Sequence, residues 1–162
     1  MAIVELDSLL DLLPDRSRLL GIDLGEKTIG LALATSDHGI ASPLRTLKRT
    51  KFSEDALLLK QLCEEYRVGG LIIGLPLNMD GTEGKRARST RQFARNLEEL
   101  AGIEVPVILW DERLSTAAIE RFLIEDADMS RRRREEVVDK MAAAFILQGA
   151  IDALRNKHLR EV

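Results

Sequence analysis

Apolar residues follow two rhythms along this chain. Early on they come in short, dense runs. Residues 19–24 and 28–35 are parted by the turn "GEKT", and residues 40–48 follow a second turn, "SDHG". Runs of this length bounded by turn formers predict three strands. Pro43 has no N–H to offer a ladder, which predicts an edge position for the third. From residue 53 the spacing becomes helical. Ser53 has the residue type of an N-cap, and Leu58, Leu59, Leu62 and Tyr66 recur on one stripe. "GGLIIGLP" and "VPVILWDE" are continuous apolar runs, the pattern of strands buried on both faces. Between them lie the loop "LNMDGTEG" and a helix over residues 85–101, ending before Gly102. Helices over 116–125 and 130–155 complete the chain. Three strands, then helix, strand, helix, strand and helices, predict an α/β fold: a mixed sheet with helices on both faces. Ahead of this domain, 18–162, residues 1–17 read as an N-terminal extension, with a short amphipathic helix through "LDSLLDLL" stopped by Pro14.

At 162 residues, 45% hydrophobic and 31% charged, the chain suits one folded domain, and with 4% aromatics its core is expected to be aliphatic. No apolar run approaches the length of a membrane span, and no membrane partner is expected. The first fifteen residues carry four acids and no base, unlike an export signal. Cys63 is the only cysteine, so no internal disulfide is expected, and a reducing cytoplasm is the natural compartment. The net charge of −3 hides local clusters. Arg45, Lys48, Arg49 and Lys51 form one. Lys85, Arg86, Arg88, Arg91 and Arg95 form a second, and Arg131 to Arg134 a third. Patches of this kind, rather than net charge, meet a phosphate backbone, although any one of them also reads as an ordinary solvated face.

Three places in the pattern carry acids where burial is expected. Asp23 interrupts the first strand. Asp111 and Glu112 follow "VPVILW" at a strand end, where open α/β sheets favour ligand sites. Being adjacent, they point to opposite faces, so one of them is expected to join Asp23. Asp139 shares a helical stripe with Ala142, Ala143, Ile146, Ala150 and Ala153, a small apolar face able to lie close on a sheet. Converging carboxylates repel, and either a shared proton or a cation relieves them. Hard oxygen donors favour Mg²⁺ or Mn²⁺, held by Asp23, Asp139 and one of Asp111 or Glu112, with Glu112 taken as the working ligand. One cysteine and two histidines, His38 and His158, offer no zinc spacing. Two such metals close together suit phosphodiester hydrolysis, activating the attacking water and stabilising the leaving oxygen. The bland alternative makes Asp23 a turn cap, Asp111 a helix cap and Asp139 half of an ion pair.

Four segments, "GIDLGEKTIGLA", "GLPLNMDGTEG", "DERLST" and "VDKMAAAFILQ", together resemble the YqgF-type pre-16S rRNA nucleases, also called Holliday-junction-resolvase-like proteins. They occur in that family's order across residues 19–155. The resemblance implies an RNase H-like fold, a five-stranded mixed sheet flanked by helices. It implies a divalent-metal nuclease centre and a role in 5′-end maturation of pre-16S rRNA during ribosome biogenesis. Structured RNA is then the expected partner, with branched DNA as a second substrate, and the protein a monomer or homodimer. Matched position by position, Asp23 stands at the family's first-strand aspartate, Asp111 and Glu112 in its "DER" motif, and Asp139 at its last-helix aspartate. Catalysis is therefore expected from Asp23, Asp111, Glu112 and Asp139. Nucleic-acid contacts are expected from Lys27, Asn78, Lys85, Arg86 and Arg113. Arg113 reads equally as a clamp on a carboxylate, and Asn78 and Asp80 as turn formers.

Two departures stand out. The family often carries Lys-Arg after the first glycine turn, where this chain has Lys27 and Thr28. "LIIGLP" ends without the acid that junction resolvases of this fold keep, a role open to Glu112. These departures keep a rival reading in view: a non-catalytic module of the same fold that grips nucleic acid or a ribosome or transcription factor. A second rival follows from "DLGEKTIG", which resembles the phosphate loop of sugar kinases and actin-like ATPases; those proteins need two such domains, and this chain has room for one.

Overall fold

A computed structural model describes residues 3–35, 37, 39–113 and 131–161, with side-chain surroundings for all of these except 131–137 and 157–161. Its elements are α1 (Leu6–Leu12), β1 (Arg18–Leu24), β2 (Thr28–Ala34), β3 (Ala41–Lys48), α2 (Phe52–Glu65), β4 (Val68–Leu75), α3 (Lys85–Glu99), β5 (Val107–Asp111) and α4 (Arg131–Glu161). The five strands form one sheet in the order β3-β2-β1-β4-β5. The β1–β2 and β2–β3 pairs are antiparallel, and β1–β4 and β4–β5 are parallel. β3 lies at the edge, as Pro43 requires. The helix expected over 116–125 lies outside the described residues, as do the side chains of Arg131 to Arg134.

Strand alternation sorts the core into two layers. Leu20, Ile22, Ile29, Leu31, Leu71, Ile73 and Val107 face the side covered by α2 and α3. Leu19, Ala32, Ala34, Ile72 and Ile108 face Ala143, Ile146, Leu147, Ala150 and Ile151 of α4. The small residues of α4 let it sit very close. At Gly21 an added Cβ would lie 2.8 Å from the Ala143 carbonyl oxygen, and at Gly30 it would collide with the backbone carbonyl of Asp139 itself.

Three local expectations are corrected. α2 starts one residue before Ser53, with Lys51 at the cap position and no side-chain cap. The buried Asp55 carboxylate instead accepts bonds from the Thr50 N–H (3.1 and 3.2 Å) and hydroxyl (2.9 Å), tying the helix start to the preceding loop. Leu59 and Leu62 are buried as the stripe requires, but Leu58 is 40% exposed. α4 runs to Glu161 rather than stopping at 155.

The first residues are bound into the same core. Ile3 bridges β5 at Val107, and the Val4 N–H donates to the Val107 carbonyl at 2.9 Å, closing that sheet edge. Leu9 is fully buried and packs with Leu19, Ile72 and Ile108, over the space left by Gly70. Emptying that position leaves a cavity in a shared core. Leu9→Ala is therefore expected to lower the unfolding free energy by about 2–5 kcal/mol, whereas Leu10→Ala, on the exposed side of α1, changes it by about 0.5 kcal/mol or less. Urea denaturation of the full chain measures both. Equal, small effects would make α1 a mere appendage.

Candidate functional site: an acidic centre at the end of the sheet

Asp23 lies near the C-terminal end of β1, the central strand, on the face that carries α4. Its neighbours across the sheet are glycines on both sides. Gly30 of β2 is its register partner. On β4 the ladder pairs Ile22 with Ile73, so the next step sets Asp23 beside Gly74. Each glycine makes room for another acid. The backbone of Asp139 rests on Gly30, and the Glu112 carboxylate lies over Gly74, which also receives Ile146 of α4. Asp23 thus has the Glu112 and Asp139 carboxylates, from two other parts of the chain, as charged neighbours. Alternation along β5 separates the two acids of "DER" as expected: Glu112 turns to the α4 face and joins Asp23, while Asp111 turns away.

The electrostatics follow from this crowding. Burial, then the charges of Glu112 and Asp139, then a hydrogen bond with Glu112, push the Asp23 carboxyl up to about 7, against the pull of Arg86. Glu112 is raised as well, chiefly by burial. The Arg86 charge and the hydrogen bond from Asp23 lower it, and the Asp111 charge raises it. A hydrogen bond joins the Asp23 and Glu112 carboxyls, and both are raised above their ordinary values. Asp139 accepts a 2.5 Å hydrogen bond from the Thr28 hydroxyl. Among the described residues, no group of three or more Asp, Glu, His or Cys side chains is arranged so that it could hold a metal ion as it stands. The close pair is Asp23 with Glu112, and both offer carboxylate oxygens.

Asp111, the fourth acid of the expected catalytic set, does not join the cluster. Its carboxylate receives the Arg113 guanidinium, with Nε at 2.9 and 3.1 Å and Nη2 at 2.7 Å. That hydrogen-bonded cation holds the Asp111 carboxyl below its ordinary value. Of the two roles read for Arg113, the clamp is the one seen. The same guanidinium approaches the Met79 carbonyl at 3.5 Å, linking the end of β5 to the loop after β4. Asn78 and Asp80 serve that loop. The Asn78 amide donates to the Thr82 hydroxyl at 3.0 Å, and Asp80 accepts from the Thr82 N–H and hydroxyl at 3.0 and 2.6 Å. The Asn78 side chain thus braces its own turn and is exposed.

The remaining bases gather where the acids do. Lys27 is exposed in the β1–β2 turn, Lys48 and Lys51 flank the end of β3, and Lys85 and Arg86 are exposed in the first turn of α3. The topology places all of these at the end of the sheet that holds Asp23. Glu64, Glu65, Glu99 and Glu104 are exposed at the ends of α2 and α3 and before β5, which is the opposite end. Arg49 is committed structurally. It donates to the Gly25 carbonyl at 2.6 Å and stands over the Phe93 ring at 5.9 Å. Sequence reasoning missed Thr28, Gly30 and Gly74; their signal was the two-residue strand period around Asp23, usable only once the register was known.

The comparisons agree with this geometry. A family profile described as "RuvX: Holliday junction resolvase" matches residues 17–153. A protein of Phenylobacterium zucineum named "Putative pre-16S rRNA nuclease" is 54% identical over 156 residues, covering 96% of this chain and 99% of that one. A protein of the same name from Methylocella silvestris is 59% identical over 140 residues, covering 86% and 85%. Among solved structures, T. thermophilus RuvC in complex with a Holliday junction substrate aligns with a TM-score of 0.54 at 16% identity, over 86% of this chain and 96% of that one, a likeness of fold. The chain belongs to the RuvX Holliday junction resolvase family, and its mixed five-stranded sheet has the RNase H-like fold of the RuvC resolvases.

The raised Asp23 carboxyl sets a sign for stability. Between its unfolded value near 3.8 and its folded value of about 7, the folded state binds the extra proton, so stability is greatest below that window and falls as pH rises through it. With EDTA present, Asp23→Asn is expected to raise the melting temperature at pH 8 by about 2–4 °C for each kcal/mol of relieved repulsion, and to do so much less at pH 5. Calorimetry at both pH values measures it. A variant that melts lower than wild type at pH 8 would contradict the repulsive cluster.

Proposed function

We propose that this chain is a divalent-metal-dependent nuclease acting on structured RNA, with 5′-end maturation of pre-16S rRNA as its task and branched DNA as a second substrate. The observation that carries the reading is the convergence of Asp23, Glu112 and Asp139 in a chain of the RuvX family. The donor set fits Mg²⁺ or Mn²⁺: the candidate ligands are carboxylate oxygens alone, and the Asp23 carboxyl is raised first by burial and then by the neighbouring Glu112 and Asp139 charges, which a cation would offset. Asp23, Glu112 and Asp139 would hold the metal. When bound, it supplies the charge that activates water and stabilises the leaving oxygen.

The chain's own groups supply the rest. A cation held there would compete with the proton of the Asp23–Glu112 pair, so loading would be favoured as pH rises toward and past about 7. Arg86, close enough to lower both Asp23 and Glu112, offers a guanidinium to the phosphate that approaches them. Lys27 and Lys85 flank the same end and hold neighbouring phosphates, which positions the strand without reading its sequence. The Arg113–Asp111 pair keeps the loop after β4 in place beside the site. The substrate class is read from the relatives named for pre-16S rRNA, and a cytoplasmic location goes with that reading. The non-catalytic alternative draws on the missing acid at the end of β4 and on Thr28 in place of an arginine after Lys27. The Glu112 carboxylate over Gly74 supports the catalytic reading on the first point.

Cleavage of a pre-16S 5′ leader and of a four-way DNA junction, each with Mn²⁺ or with EDTA, tests the reading. Metal-dependent cutting is expected, reduced about 100-fold or more by Asp23→Asn, Glu112→Gln or Asp139→Asn, while Asp111→Asn stays within about tenfold of wild type because its carboxylate serves Arg113 rather than the cluster. Folded protein that binds the RNA and never cuts it would overturn the nuclease assignment.

A further inference from the structure

We infer that Thr28 is a positioning residue that orients the Asp139 carboxylate in the acidic centre, an inference that rests on the metal-dependent reading above. β2 contributes no acid to the centre, yet it holds one of the three in place at two points. Thr28 and Gly30 are two residues apart on β2 and so present the same face to α4. Gly30 receives the Asp139 backbone, which sets where the residue sits. The Thr28 hydroxyl donates to Asp139 Oδ2 at 2.5 Å, which sets how the carboxylate turns.

Thr28 is itself well anchored. Its carbonyl accepts the Gly25 N–H at 2.9 Å, closing the turn that follows Asp23. At Gly25 an added Cβ would lie 3.1 Å from the Thr28 carbonyl oxygen and 3.3 Å from its hydroxyl, so the turn packs directly on this residue. A β-branched side chain has few χ1 choices on a strand, so the hydroxyl is pre-aimed. A hydroxyl can donate one hydrogen bond, and a carboxylate with one lone pair so occupied keeps the others for different partners. Groups that orient ligating carboxylates typically carry a 10–100-fold share of metal affinity. Thr28 touches neither the expected cation nor the substrate; it acts through Asp139.

Isothermal titration with Mn²⁺, on full-length protein checked for folding by circular dichroism, tests this without reference to turnover. Wild type is expected to show a site that Asp23→Asn removes. Thr28→Val, which keeps the shape and deletes the hydroxyl, is expected to weaken Mn²⁺ binding about tenfold or more. Thr28→Ser, which keeps the hydroxyl, is expected to restore affinity close to wild type. Thr28→Ala is titrated alongside, so a poorly packed valine does not decide the matter. Wild-type affinity in both Thr28→Val and Thr28→Ala would overturn the positioning role, as would a Thr28→Ser variant as weak as Thr28→Val. A wild type with no Asp23-dependent site would instead overturn the metal reading and this inference with it.

Discussion

Asp23 is flanked across the sheet by Gly30 and Gly74, and the site depends on the space those two residues leave. A β-carbon at Gly30 would meet the Asp139 carbonyl, and one at Gly74 would meet the Glu112 carboxylate and stand 2.6 Å from Ile146 Cδ1. The small-residue stripe of α4 makes the matching demand from the other side, with Ala142, Ala143, Ile146 and Ala150 buried against the sheet. Close helix-on-sheet packing and the meeting of three acids are therefore one arrangement. Pushing the helix outward by the width of a methyl group would separate Asp139 from Asp23.

This arrangement runs against the stability of the fold. Buried like charges cost free energy, and the cluster tolerates them by sharing a proton. Sites of this kind are held by the surrounding structure rather than by their own contacts. Here the restraint comes from a fully aliphatic layer under α4, from the Thr28 bond to Asp139 and from the closed sheet edge where Ile3 and Val4 join β5. Lys27, Lys48, Lys51, Lys85 and Arg86 are exposed around the acidic centre, where they would meet an approaching polyanion.

Much of the architecture was legible from periodicity. The change from dense apolar runs to helical spacing marks the elements, and Pro43 marks the edge. Asp23 and Asp139 announce themselves because an acid in an apolar run or on an apolar stripe has no ordinary reason to be there. The choice between Asp111 and Glu112 was not legible, since adjacent residues are equivalent until the face that α4 covers is known. Leu9 was hidden for a related reason. A short amphipathic helix ahead of a domain gives no local sign of what it packs on. Ser53 misled because the helix begins one residue earlier, with Lys51 at the cap position, and its start is tied to the preceding loop by Asp55 bonding Thr50. Leu58 misled because a stripe drawn by spacing alone is wider than the face the sheet covers.

The central claim is that Asp23, Glu112 and Asp139 form one cation-binding centre, from which Asp111 is excluded. A crystal grown with Mn²⁺ and examined by anomalous scattering tests it most directly. The account expects an anomalous peak within bonding distance of carboxylate oxygens from Asp23, Glu112 and Asp139, with Arg113 still on Asp111. A peak on Asp111, or a well-ordered centre that still holds the Asp23–Glu112 proton at saturating Mn²⁺, would contradict it.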